Sequence, residues 1–151
     1  MKPTLSLKGR ALRYLSMREH SRSELRRKLS PHAADAEELD MVLNWLAAAD
    51  FMSDQRFSDS LVNRRSARYG NYRILAELQT HALEGEDLAR IREQLSEGEG
   101  ARAISVLHRK FPAAPLDQNE RMRHSRFLQQ RGFSGKAVQL AMRAPRDEDD
   151  Q

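Results

Sequence analysis

Leu128-Gln129-Gln130-Arg131-Gly132-Phe133 reads as the end of an α-helix. Glycine supplies the left-handed residue that closes the last turn, and the large apolar residue after it folds back onto the leucine five positions earlier. The same apolar spacing occurs at Leu46 to Phe51 and at Leu78 to Leu83, where Asp50 and Ala82 stand in the glycine position. One stop used three times predicts a modular helical protein. Arginines accompany each copy (Arg56; Arg73; Arg126 and Arg131), so the modules are expected to share an acidic partner.

Helical periodicity extends outward from these stops, and the alternation of strands is absent. Leu39, Val42, Leu43 and Leu46 recur at the spacing of one helix face, as do Leu7, Ala11, Leu12 and Leu15. Shorter stripes are Phe57 with Leu61, Leu75 with Leu78, Leu88 with Ile91 and Leu95, Ile104 with Leu107, and Val138 with Ala141. All prolines fall outside them, where a missing amide hydrogen costs no helical bond. Ser21 with Glu24 forms a capping box; Asp35, Asp117 and Ser134 cap later helices; Gly98 and Gly100 mark a boundary. Nine helices result.

The expected fold is all-α, three tandem three-helix (helix-turn-helix-like) repeats in an elongated curved array. The repeats span 1–53, 54–97 and 98–146, and 147–151 forms an acidic disordered tail. A unit of this size buries too little apolar surface to be stable alone, so neighbouring repeats should share faces.

Composition agrees with an open architecture. Apolar residues make up 39% and charged residues 32% of the 151, against roughly 45 to 50% and 25% in average soluble domains. The absence of cysteine excludes disulfides, thiolate metal sites and cysteine nucleophiles. No apolar run approaches a membrane span, and the first residues lack the apolar stretch of a secretory signal, so a cytoplasmic protein is expected.

The net charge of +4 conceals alternating blocks. Residues 1–34 carry 9 basic and 2 acidic side chains, residues 35–54 none and 6, and residues 101–146 carry 10 and 2. The last of these blocks is therefore expected to be the strongest polyanion contact. Of the 26 basic residues 21 are arginine, whose planar fork suits bidentate binding of phosphate and carboxylate. Candidate partner-binding or nucleic-acid-binding residues are Arg22 with Arg26, Arg64 and Arg65 with Arg68, Tyr72 and Arg73, and Arg123, Arg126 and Arg131. On one helix face Arg64 or Arg65 would repel Arg68 unless an acidic neighbour or ligand intervened. Tyr14, Trp45, Phe51, Phe57 and Phe111 lie on or beside apolar stripes and are expected in the core.

No catalytic constellation emerges. The chain lacks a phosphate-binding loop, a histidine pair at helical spacing and a nucleophile elbow, so neither an enzyme nor a bound cofactor or metal is expected.

Four local patterns resemble those of the RecX family, regulators of the bacterial recombinase RecA. They are Ser21-Arg22-Ser23-Glu24-Leu25 through Lys28-Leu29, Phe51-Met52-Ser53-Asp54-Gln55-Arg56-Phe57, Arg68 with Gly70, Arg73-Ile74 and Glu77-Leu78, and Arg126-Phe127-Leu128 with Arg131-Gly132-Phe133. That family usually has glycine where this chain has Asp50 and Ala82. A left-handed alanine costs on the order of 1 to 2 kcal/mol, so the second stop is expected to shift, with Gly85 the candidate. The resemblance implies tandem three-helix repeats lying in the groove of the RecA filament on single-stranded DNA and curbing ATPase, coprotease and strand-exchange activities. It also implies a monomer with weak, sequence-indifferent DNA binding. The alternative is a helix-turn-helix DNA-binding protein or transcription factor acting without RecA, reading bases from one recognition helix.

Overall fold

The computed structural model describes residues 4–146. The acidic stretch Asp147 to Asp150, expected as a tail, lies outside them. Every regular element among the described residues is helical: α1 (Leu7–Met17), α2 (Arg22–Leu29) with a 3-10 turn at Ser30–His32, α3 (Ala36–Ala48), α4 (Asp54–Arg65), α5 (Asn71–Thr80), α6 (Gly85–Lys110), α7 (Gln118–Gln130) and α8 (Gly135–Arg143).

Side-chain caps start six of them. Ser6, Ser21, Asp35, Ser53, Asp117 and Ser134 each accept a hydrogen bond from a first-turn N–H, satisfying one donor that the helix leaves open. At α3 and α7 a first-turn glutamate reaches back past the cap: Glu38 and Glu120 accept from the N–H groups of Ala34 and Leu116, the residues before Asp35 and Asp117, at 2.7 and 2.8 Å. At α2 only the serine half of the capping box forms. The carboxylate of Glu24 turns instead to Arg18, with bonds of 3.0 and 2.5 Å, because a guanidinium is a stronger donor than a lone amide.

The three stops retain their left-handed residues. Gly132 has φ +88°, Asp50 +63° and Ala82 +60°. Phe133 donates to the Leu128 carbonyl and Gly132 to that of Gln129, and Phe51 and Asp50 repeat the pattern on Leu46 and Ala47. The expected transfer of the second stop to Gly85 is corrected: Gly85 also has a positive φ, +68°, but it stands beside Ala82 rather than replacing it. Leu83 is buried against this turn's end, which offsets the backbone cost at Ala82.

A larger correction concerns α6, one continuous helix of 26 residues where two had been expected with a break at Gly98 and Gly100. Gly100 faces the δ-methyl of Leu140 of α8, so this glycine lies at a helix contact and does not end the helix. Among the described residues eight α-helices therefore replace nine.

The described residues fall into two compact units. The first runs to Leu61 and includes Thr80–Leu83; the second comprises Val62–Gln79 and the chain from Glu84 onward. The segment 54–97, expected as one repeat, thus contributes to both. In the first unit, Leu7, Ala11, Leu25, Leu29, Leu39, Leu43 and Leu46 close the core of α1, α2 and α3. In the second, Ala103, Leu107, Leu128, Phe133, Val138 and Ala141 close that of α6, α7 and α8. Burying a leucine such as Leu128 contributes about 1.5 to 3 kcal/mol before entropy is counted.

Two aromatics expected in the core are not there. Trp45 and Phe51 are 37% and 47% exposed and pack on each other at 5.5 Å between ring centroids. Met52 is buried in place of Phe51, since the chain leaving the left-handed Asp50 directs the next residue outward.

Candidate functional site

The candidate arginines divide into internally bonded and available groups. In the first unit Arg22 bonds Asn44 at 2.7 Å and Arg26 bonds Asp40 at 2.7 Å. Arg56, expected near a partner, is held by Glu19 and by both the carboxylate and the carbonyl of Asp50, and so clamps the α3 stop. Its guanidinium is bound so tightly by these acceptors that its pKa rises above its ordinary value.

In the second unit Arg65 forms a fork on Glu77, two bonds of 3.0 Å that raise its pKa and remove it from the repulsive trio expected with Arg64 and Arg68. Arg64 lies exposed on the same helix and also takes part in an interaction. Arg68 is exposed, past the end of α4, and its side chain has no bonded partner among the described residues. Arg73 and Arg131 approach Tyr69, at 4.3 and 5.4 Å from its ring centroid, and Arg131 also stands over Phe127 at 5.1 Å. Arg123 and Arg126 are exposed on α7. Tyr72 is 75% exposed and lines a different cavity with Leu75, Arg92 and Lys136.

The packing of two glycines creates this arrangement. Gly70 donates its N–H to the Arg131 carbonyl at 2.8 Å, and Tyr72 donates to that of Gly132 at 3.1 Å. A Cβ on Gly70 would overlap the backbone of Gly132 and Phe133, while one on Gly132 would lie 2.7 Å from Cβ of Arg73. The stop after α7 therefore docks on the start of α5, bringing Arg68, Arg73 and Arg131 together.

A groove of about 370 Å³ opens beside this junction. Arg68, Arg109, Lys110 and Arg131 supply four cations around a floor that includes Val106 and Phe127, and among the described residues no carboxylate lines it. Arg109 and Lys110 had not been singled out in the sequence. They belong to the last turn of α6, where cations also suit the negative helix end, and Arg109 bonds the Ala67 carbonyl at 3.2 Å. Their spacing from Arg102 along one helix face was the available signal.

Family models match the first RecX three-helix domain over residues 8–46 and the third over residues 97–142. A regulatory protein RecX from Herbaspirillum seropedicae is 53% identical over 150 residues, covering 99% of this chain and 97% of that one. The chain belongs to the RecX family. Another RecX, from Neisseria meningitidis serogroup A, is 37% identical over 148 residues, covering 98% and 96% of the two chains. The crystal structure of RecX from Lactobacillus salivarius matches with a TM-score of 0.74 at 18% identity, over 90% of this chain and 92% of that one, a likeness of fold. The third RecX domain opens at residue 97, inside α6, so the second half of that helix acts as the domain's first helix without a preceding break. No helix among the described residues is long and apolar enough to cross a membrane.

Proposed function

We propose that this RecX-family regulator binds the RecA nucleoprotein filament on single-stranded DNA and inhibits its ATPase, coprotease and strand-exchange activities. It acts in the cytoplasm, in recombinational DNA repair, as a monomer and without catalysis of its own. The observation that carries this reading is the groove of Arg68, Arg109, Lys110 and Arg131, which concentrates positive charge with no carboxylate lining it among the described residues. Such a surface favours a polyanion and gives salt-sensitive affinity. Inhibition follows from occupancy: a protein held across neighbouring filament subunits resists the rearrangements that accompany ATP turnover.

The test is RecA ATPase on single-stranded DNA with the purified protein added up to stoichiometric amounts. Progressive suppression is expected, weaker at high salt. Unchanged turnover at equimolar protein would overturn the reading.

A further inference from the structure

The cationic groove continues along α6. A second cavity of about 180 Å³ shares Ala67, Val106 and Arg109 with it and adds Ser66, Arg102 and Ser105. Arg102, Ser105, Val106 and Arg109 recur at the three- and four-residue spacing of one helix face, so the two cavities form one track. At a rise of 1.5 Å per residue, Arg102 and Arg109 stand about 10 Å apart along the helix, roughly three nucleotides at 3.4 Å each.

Arg102 is incompletely satisfied. One end of its guanidinium donates to Asn71 Oδ1, while Nη1 is buried with no hydrogen-bond partner among the described residues. A buried charged donor left open is costly, and the side chain gains an acceptor when it turns outward to an anionic oxygen on the track. Across the track the cations are met by hydroxyls, and the floor of Val106 and Phe127 is apolar. Regularly spaced anions next to apolar faces are the chemistry of an unpaired nucleic-acid strand, whose bases are free to leave the stack. A duplex would offer the floor no base.

We infer that the track from Arg102 through Arg109 to Arg68 and Arg131 binds the phosphodiester backbone of single-stranded DNA, with Phe127 and Val106 beneath a sugar or base. This site rests on the proposed filament reading and assigns one surface of it to the nucleic acid rather than to the recombinase.

The test uses the full chain, fluorescein-labelled oligo(dT) and anisotropy across a salt series. The double variant Arg68→Ala/Arg109→Ala is compared with Arg13→Ala/Arg27→Ala, which removes the same charge from exposed positions in the first unit. The groove variant should bind about tenfold more weakly, and its salt slope should be shallower by about 1.4, the value for two lost single-strand phosphate contacts. The control should remain within about twofold of the unsubstituted protein. Arg68→Glu, at an exposed side chain, gives the same reading should the double variant fold poorly. Equal losses in the two doubles, an unchanged slope, or equal competition by duplex of matched length would overturn the assignment. RecA ATPase measured on the same proteins separates the two claims. A groove variant that keeps oligo(dT) affinity but no longer inhibits RecA assigns the groove to protein and overturns the inference alone. Wild-type protein that leaves RecA unaffected, with groove variants still defective on oligo(dT), overturns only the filament reading.

Discussion

Gly70 and Gly132 lie backbone against backbone. The N–H of Gly70 reaches the carbonyl of Arg131 at 2.8 Å, and a methyl group on Gly70 would occupy the space of the Gly132 carbonyl carbon. Two motifs 62 positions apart are thus halves of one contact, and Arg68, Arg73 and Arg131 are gathered by it.

Gly70→Ala should destabilise the protein by about 2 to 3 kcal/mol, since neither backbone can yield without moving a helix end. The melting temperature would then drop by roughly 5 to 10 °C. Gly98→Ala is the internal contrast: nothing lies within 4 Å of the added Cβ, and the helix should gain about 1 kcal/mol. Paired thermal melts that gave the two variants equal effects would remove Gly70 from this role.

Ala82→Gly should stabilise by about 1 kcal/mol, because glycine adopts φ +60° without the steric cost that alanine bears there. Urea denaturation measures it. A destabilised variant would mean that the entropy lost by glycine exceeds the relieved strain.

Glu99 is a buried carboxylate serving two helix starts. It accepts from the Asn71 N–H at 2.9 Å, and from the N–H and hydroxyl of Ser134 at 3.3 and 2.6 Å. Glu99→Ala should cost about 3 kcal/mol, because the Asn71 and Ser134 donors are then left open. Ser134→Ala should cost about 1 kcal/mol. In a double-mutant cycle the combined loss should fall below the sum; strict additivity would show that the pair is not coupled.

His20 predicts an acid-sensitive first unit. Its Nδ1 lies 3.0 Å from the Arg18 carbonyl and must donate, so Nε2, 3.1 Å from Lys28 Nζ, accepts and the ring is neutral. Burial lowers its pKa most, with the Arg18 and Lys28 charges adding and the Arg18 carbonyl and Glu24 opposing. The unfolded chain therefore takes the proton first as pH falls. The stabilisation is complete above about 6.5 and is lost as pH drops through the lower folded value. An NMR titration should place the His20 midpoint below 6.5, the ordinary value. Glu24 acts in the same direction at lower pH: burial pushes it up, but the Arg18 bond and the nearby charges of Arg18, His20 and Lys28 outweigh that and hold it below the usual carboxylate value. Its contribution is lost as pH falls through that depressed folded pKa.

The helices and their caps were legible because they depend on neighbours in sequence. Ser21, Asp35, Asp117 and Ser134 each serve an amide three positions on, and Leu128 meets Phe133 within one turn. Gly98 and Gly100 misled for the same reason. Glycine is a local breaker by only about 1 kcal/mol, and a helix continues through it when its neighbours are packed, as Leu95, Glu99 and Ala103 are buried on α6.

The site was half legible. Arginine-rich stretches could be found by counting, but counting does not distinguish Arg65, consumed by Glu77, from Arg68, which has no such partner among the described residues. Arg109 and Lys110 resembled ordinary helix-end cations until α6 placed them opposite Arg68 and Arg131.

By itself the sequence determined the all-helical class, the left-handed stop at Gly132, the membership of the RecX family and the basic character of residues 101–146, all written in short-range patterns and charge. Only the tertiary structure decided which arginines remain available, why Gly70 and Gly132 are both glycine, and where the cations converge. Those outcomes depend on which distant acceptors a folded chain brings within about 3 Å, a distance that no spacing in the sequence encodes.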